Sequence, residues 1–319
     1  MNKLALLLSV IMICTSCDKK ESPIDENFSG IDEISFENYP KTDGSTSTRA
    51  LRQMIGCKLL NVRYDWVQNV VLEWNLTANQ DDIPEQYKDL LSENIWSTSQ
   101  THGAFVNLID KNVDIILTHR KISPEEKNYA ETKGVSLVET AIASDAFVFV
   151  VHKNNPVRSL TVNQIQQIYT GEITNWSEVG GNNAEMKVFT RPRNSGSEEV
   201  FREIVMDGLE PSDFPEQEIG GMAGVFIEIN QNEDGICYTF NNYKEMTARV
   251  PNSQIPTIAI NGISPNGSTI ENKTFPFISE VHVAIRSDLD HNSMAYKLYE
   301  WLQTDDAKPI ITECGFIPK

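Results

Sequence analysis

One short run of the chain, Arg191-Pro192-Arg193-Asn194-Ser195-Gly196-Ser197-Glu198-Glu199-Val200-Phe201, places a guanidinium and two hydroxyls ahead of an apolar helical stripe. A guanidinium offers a planar fork of donors to an oxyanion. The start of a helix leaves backbone N–H groups unpaired and partly positive, so it attracts anions without any formal charge. Val200, Phe201, Ile204 and Val205 have the spacing of a buried helical face, and Ser195 with Glu198 matches a capping box. Gly196 lets a ligand approach the backbone where a Cβ would obstruct it. The chemistry predicted here is capture of an anion; the plainer alternative is a well-capped helix beside a surface arginine. A third option, nucleophilic attack by Ser195 or Ser197, needs a base within reach. His119 is the candidate base, yet no Gly-x-Ser-x-Gly elbow accompanies these serines.

Two further stretches carry similar groups. Asp43-Gly44-Ser45-Thr46-Ser47-Thr48 lies between a predicted strand and a predicted helix, and reads either as an anion loop or as a polar loop with an N-cap. Thr118, His119 and Arg120 stand at the tip of the apolar run Ile115–Leu117. In open α/β sheets ligands sit beyond the carboxyl ends of the strands, where helix N-termini converge. Gly44, Ser45, Thr46, Thr118, His119, Arg191, Ser195, Gly196 and Ser197 are therefore expected to share one cleft.

The elements that must position these groups alternate between strand and helix. "EISFENYPKT" (33–42) predicts a first strand, and Leu51, Met54, Ile55 and Leu59 predict a helix behind it. "NVDIILTH", "DAFVFVVH", "MKVFTRP", "GICYTF", "TIAI" and "SEVHVAIRS" predict further strands, the second almost continuously apolar, as expected of a strand covered on both faces. "LTVNQIQQIYTG" predicts a helix opened by a Thr161/Gln164 capping box and stopped at Gly171. "SMAYKLYEWLQ" and "DDAKPIITECG" predict two closing helices. This alternation implies an α/β fold with mostly parallel sheets.

With 319 residues the chain can bury one large core or two lobes. Its 27 Lys+Arg against 45 Asp+Glu give a formal charge of −18, which excludes nucleic acid as a partner because no basic face is present. The same charge repels anions at long range, so an anion seat must work through short-range donors inside a cleft. At the start, Lys3 and the run "LALLLSVIMI" form a signal segment too short to span a bilayer. "CTSC" then resembles a lipobox that makes Cys17 the acylated first residue, with a plain secretory signal as the alternative; residues 17–30 read as a polar tether. Cys57, Cys237 and Cys314 form no C-x-x-C pair, and the five histidines are scattered, so buried free thiols and no metal site or cofactor are expected.

With these stretches in place, the chain resembles the phosphate-binding lipoproteins of phosphate-uptake ABC transporters, within the periplasmic-binding-protein superfamily (type II fold). The resemblance rests on "DGSTST", "NPVRSLTVNQIQQIYTGEITNWSEVGG", "RPRNSGSEEVF" and "SEVHVAIRSD…ITECGFIP", and spans nearly all of residues 33–318. It implies two lobes joined by a hinge, 31–144 with 255–319 and then 145–254, after a signal peptide at 1–16. It implies a monomeric extracytoplasmic lipoprotein, periplasmic or at the cell surface, that is not an enzyme and hands inorganic phosphate to an ABC permease. Another tetrahedral oxyanion or a phosphorylated small molecule is the alternative ligand. Carried over by position, Ser45 and Thr46 donate from the first lobe beside Thr118; Arg191, Ser195, the Gly196 N–H and Ser197 donate from the second. Related proteins often place an aspartate where His119 stands, accepting the proton that hydrogen phosphate has and sulfate lacks.

Overall fold

The computed structural model describes residues 29–319 apart from 69–72, 93–94, 96 and 215–216. The predicted signal segment, Cys17 and nearly all of the tether lie outside the described residues. The chain begins with β1 (Thr42–Gly44), α1 (Arg49–Leu59), β2 (Tyr64–Gln68), β3 (Trp74–Ala78), α2 (Lys88–Leu91), α3 (Gln100–Ile109), β4 (Ile115–Thr118), α4 (Pro124–Lys133) and the long β5 (Leu137–Val151). It continues with β6 (Ser159–Leu160), α5 (Val162–Tyr169), β7 (Lys187–Val188), α6 (Gly196–Val200), α7 (Gly224–Gln231), β8 (Gly235–Phe240) and β9 (Ala259–Ile260). α8 (Gly267–Glu271), β10 (Ile278–Arg286), α9 (Met294–Trp301), α10 (Lys308–Glu313) and β11 (Ile317–Pro318) complete it.

The main sheet has the order β1-β4-β10-β5-β8-β7, with β11 also on β5. Only β1/β4 and β7/β8 are parallel; β10 runs antiparallel to β4 and β5, and β5 antiparallel to β8. The sheet is thus mixed rather than mostly parallel, because β10 arrives late in the chain and inserts between two earlier strands. Two large hydrophobic cores form on it, and a smaller third packs Ala104, Phe105 and Leu108 of α3 against Ile116 and Ala284. Leu51, Met54, Ile115, Val283 and Leu298 pack in one with Ile142 and Ala143 of β5. The second half of β5, Ala146–Val151, packs in the other with Ile165, Trp176, Phe201 and Tyr238. β5 is buried throughout Ile142–Val151 as it passes from one core into the next, and its second half, Ala146–Val151, is continuously apolar. Ile255, Ile258, Phe275 and Phe277 pack into the second core.

Local punctuation explains several boundaries. Thr161 accepts from the Gln164 amide at 3.1 Å while Gln164 accepts from the Thr161 amide at 2.9 Å, the reciprocal box that opens α5. The first strand is Thr42–Gly44, which shares only Thr42 with the expected 33–42. Upstream, Asn38 accepts from the Ser35 amide and donates to the Glu33 carbonyl, both at 2.8 Å, folding Glu33–Asn38 into turns despite its apolar alternation. Cys57, Cys237 and Cys314 are buried free thiols. Among the described residues no group of three or more His, Cys, Asp or Glu could hold a metal ion, and no helix is long and apolar enough to cross a membrane.

Candidate functional site

The loop after β1 is built on the tip of β4. A Cβ on Gly44 would stand 2.2 Å from the Leu117 carbonyl oxygen, so only glycine permits this approach. The Ser45 amide and the Thr48 hydroxyl both donate to that carbonyl, at 3.0 and 2.7 Å. Asp43 ties the loop to α3: it accepts from the Ser99 amide and the Asn107 side chain, each at 2.9 Å. Arg52, 1% exposed, donates to the carbonyls of Thr42 and Ser97 and braces the loop from below. These bonds hold the start of the helical segment Thr46–Thr48 and the N-terminus of α3 side by side. Gln100, the first residue of α3, takes φ 62°, a conformation a non-glycine residue holds only when its surroundings fix it.

Opposite them lie the N-termini of α6 and α7. Ser195 caps α6, accepting from the Glu198 amide at 3.2 Å. The reciprocal half of the expected capping box is absent: the Ser195 amide donates to the Pro192 carbonyl at 2.8 Å. The Glu198 carboxylate turns inward, where it accepts from Tyr238 Oη and from Arg202 Nε at 2.8 Å. It is 3% exposed, so it does not face the mouth as its place in the sequence suggests. Arg191 is buried, donates from Nη1 to the Gly221 carbonyl, and leaves Nε without a partner among the described residues. Burial lowers its pKa, which an arginine tolerates while staying cationic.

One cavity of about 650 Å³ lies between these two groups of helix ends. Ser45, Thr46, Arg191, Ser195, Gly196 and Ser197 all line it. Sequence reasoning missed Ser47, Arg49 and the Gln100–Gly103 turn on one side and Gly220–Gly224 on the other. Ser47 lies within the predicted loop and Arg49 directly after it, so the loop was a signal for both; Gln100 and Gly220 carry no motif. Across the cavity α3 meets α6: a Cβ on Gly196 would stand 2.3 Å from Thr101 Oγ1. Gly196 is thus a point of close approach between the two sides.

Gly44, Thr118 and His119 do not line the cavity but lie behind it. Thr118 Oγ1 donates to the Arg120 carbonyl at 2.8 Å. The His119 ring, 1% exposed, stacks on Phe240 with centroids 3.8 Å apart. Its amide donates to Ser45 Oγ at 3.0 Å, its Nδ1 lies 3.0 Å from Ser47 Oγ, and its Nε2 faces Asp145 Oδ2 at 3.5 Å. Burial pushes His119 down to about 3, helped by nearby His282, and pushes Asp145 up to about 7 against the amides of Ala146 and Asn242. The order Ser–His–Asp is also that of a hydrolytic triad. That chemistry needs a base poised near neutrality, which a histidine at about 3 is not.

The fold and the cleft define a two-lobed α/β protein whose cavity is ringed by helix N-termini and one buried arginine. The chain belongs to the PBP superfamily, whose domain matches residues 66–306. It is 23% identical over 195 residues to the phosphate-binding protein PstS of Bacillus subtilis, a span covering 61% of each chain. It is 23% identical over 224 residues to that of Staphylococcus saprophyticus, covering 69% of each. Among solved structures it is similar to a putative phosphate ABC transporter substrate-binding protein with bound phosphate from Clostridium perfringens, with a TM-score of 0.64 and 22% identity over 90% of this chain and 100% of that one. An ABC-type phosphate transport receptor from Vibrio cholerae gives 0.58 and 23%, over 89% and 99%.

Proposed function

We propose that this protein captures inorganic phosphate in the cleft and delivers it to an ABC importer, as an extracytoplasmic lipoprotein held to a bacterial membrane through Cys17. The observation that carries this is the convergence of four helix starts, at Thr46, Gln100, Gly196 and Gly224, with Arg191 on one cavity. Oriented amides supply a positive potential that needs no net positive charge, which reconciles an anion seat with a chain of −18. The relatives called phosphate-binding proteins support the choice of anion. The role is binding and release rather than turnover, since the histidine behind Ser47 is held at about 3, far below a working base. Titration calorimetry tests it: phosphate saturates one site per chain, and no ester of phosphate is hydrolysed. Absence of phosphate binding overturns the reading. At about 650 Å³ the cavity also has room for a phosphorylated small molecule. A phosphomonoester that binds more tightly than phosphate would install that reading instead.

A further inference from the structure

Amides, hydroxyls and guanidinium groups all donate, and a site made of donors accepts any tetrahedral oxyanion. Telling hydrogen phosphate from sulfate, which differs from it by one proton, requires an acceptor on the cavity wall. Glu73 is on that wall, but its carboxylate is 26% exposed and already accepts from Tyr243 Oη. An acceptor in contact with water discriminates poorly, because water satisfies it when the ligand does not. Ser47 is 5% exposed and lies on the same wall.

The proton on Ser47 is placed by the residues behind it. A neutral imidazole carries one N–H. His119 Nε2 has no hydrogen-bond partner among the described residues and faces Asp145 Oδ2 at 3.5 Å. The Asp145 carboxylate is held in position by amides, accepting from Ala146 at 2.8 Å and from Asn242 at 3.1 Å. At pH 8 Asp145 is ionised, and a proton on Nε2 is attracted by its carboxylate. A proton on Nδ1 would instead set the Nε2 lone pair against the carboxylate's own. Nδ1 is therefore bare, and Ser47, 3.0 Å away, donates its hydroxyl proton to it. What Ser47 then presents to the cavity is lone pairs. Ser45 is the reverse: it accepts from the His119 amide at 3.0 Å, which leaves its own proton for an anion oxygen. One histidine makes a donor of one serine and an acceptor of the next but one.

Resting on the phosphate reading above, we propose that Ser47 is the specificity-determining acceptor for the proton of hydrogen phosphate, with His119 and Asp145 as the positioning residues that turn its hydroxyl away from the ligand. The test measures dissociation constants for phosphate and for sulfate at pH 8 in the mature protein and in Ser47→Ala, Asp145→Asn and Glu73→Gln. Ser47→Ala narrows the phosphate-over-sulfate ratio by at least about tenfold. Asp145→Asn offers an N–H to His119 Nε2, moves the ring proton to Nδ1, makes Ser47 a donor, and strengthens sulfate binding. Glu73→Gln keeps the ratio of the parent. A Ser47→Ala protein that binds phosphate with the parent's ratio overturns the inference while leaving the phosphate function standing; a parent that binds no phosphate overturns both. Nitrogen NMR of the imidazoles checks the same point without any variant. An Nε2-protonated His119 supports the assignment, and an Nδ1-protonated one overturns it.

Discussion

At the scale of single residues, the site depends on one buried cation and on a buried acid–base pair. Arg191→Ala removes the only guanidinium, among the described residues, that is buried against the cavity beside α6 and α7. Phosphate binding should weaken by roughly 2–5 kcal/mol, the range for truncating one partner of a buried charge pair; an unchanged dissociation constant removes Arg191 from the site. Asp145, at about 7 in the fold, still holds a proton that an unfolded carboxylate releases near pH 4, so it adds stability in acid that is lost as pH rises to about 7. His119, at about 3, acts oppositely: the unfolded histidine takes up a proton below about pH 6.5, so its contribution is lost as pH falls. The two slopes largely cancel in the parent. Asp145→Asn removes only the first, so denaturant unfolding should show its stability rising relative to the parent by about 2–4 kcal/mol between pH 4 and 7. A difference that is flat with pH contradicts this. The residues visible in advance were those whose partners are local. Ser45, Ser195 and Ser197 belong to Gly-Ser turns that read directly. His119 was placed in the cavity by its position at a strand tip, and nothing in the sequence reveals that Phe240 draws its ring behind the wall.

At the scale of elements, the cleft is a set of helix starts pinned by glycines and caps. Gly196 allows α6 to meet Thr101 of α3, and a methyl there would stand 2.3 Å from the threonine oxygen. Gly196→Ala should therefore hold α3 and α6 apart and weaken phosphate binding by about tenfold, roughly 1.4 kcal/mol. Adding Thr101→Ala should restore most of the loss, because the closest atom is the hydroxyl. Equal affinities for the Gly196→Ala protein and the parent would show that the contact plays no part in binding. The α5 box was legible because Thr161 and Gln164 answer each other across three residues. The Ser195/Glu198 box was only half legible, since Tyr238 and Arg202 claim the carboxylate and the pattern carries no trace of either. β5 and β8 could be read from their apolar runs, whereas the antiparallel insertion of β10 between β4 and β5 is a matter of long-range pairing that periodicity does not encode.

At the scale of the whole molecule, two large cores share one sheet, and the strands β5 and β10 run between them. The cavity lies where helices from the two halves turn their N-termini toward each other, so neither half holds the site alone. The excess of acidic residues sets a repulsive far field, while the donors that would hold an anion are amides and hydroxyls facing the cavity. That separation of field from site is the central claim, and a crystal structure of the mature protein grown with phosphate tests it most directly. The account predicts a single phosphate within hydrogen-bond distance of Ser45 or Thr46 on one side and of Arg191 and Ser197 on the other. A phosphate bound by only one half, or seated outside this cavity, would contradict it.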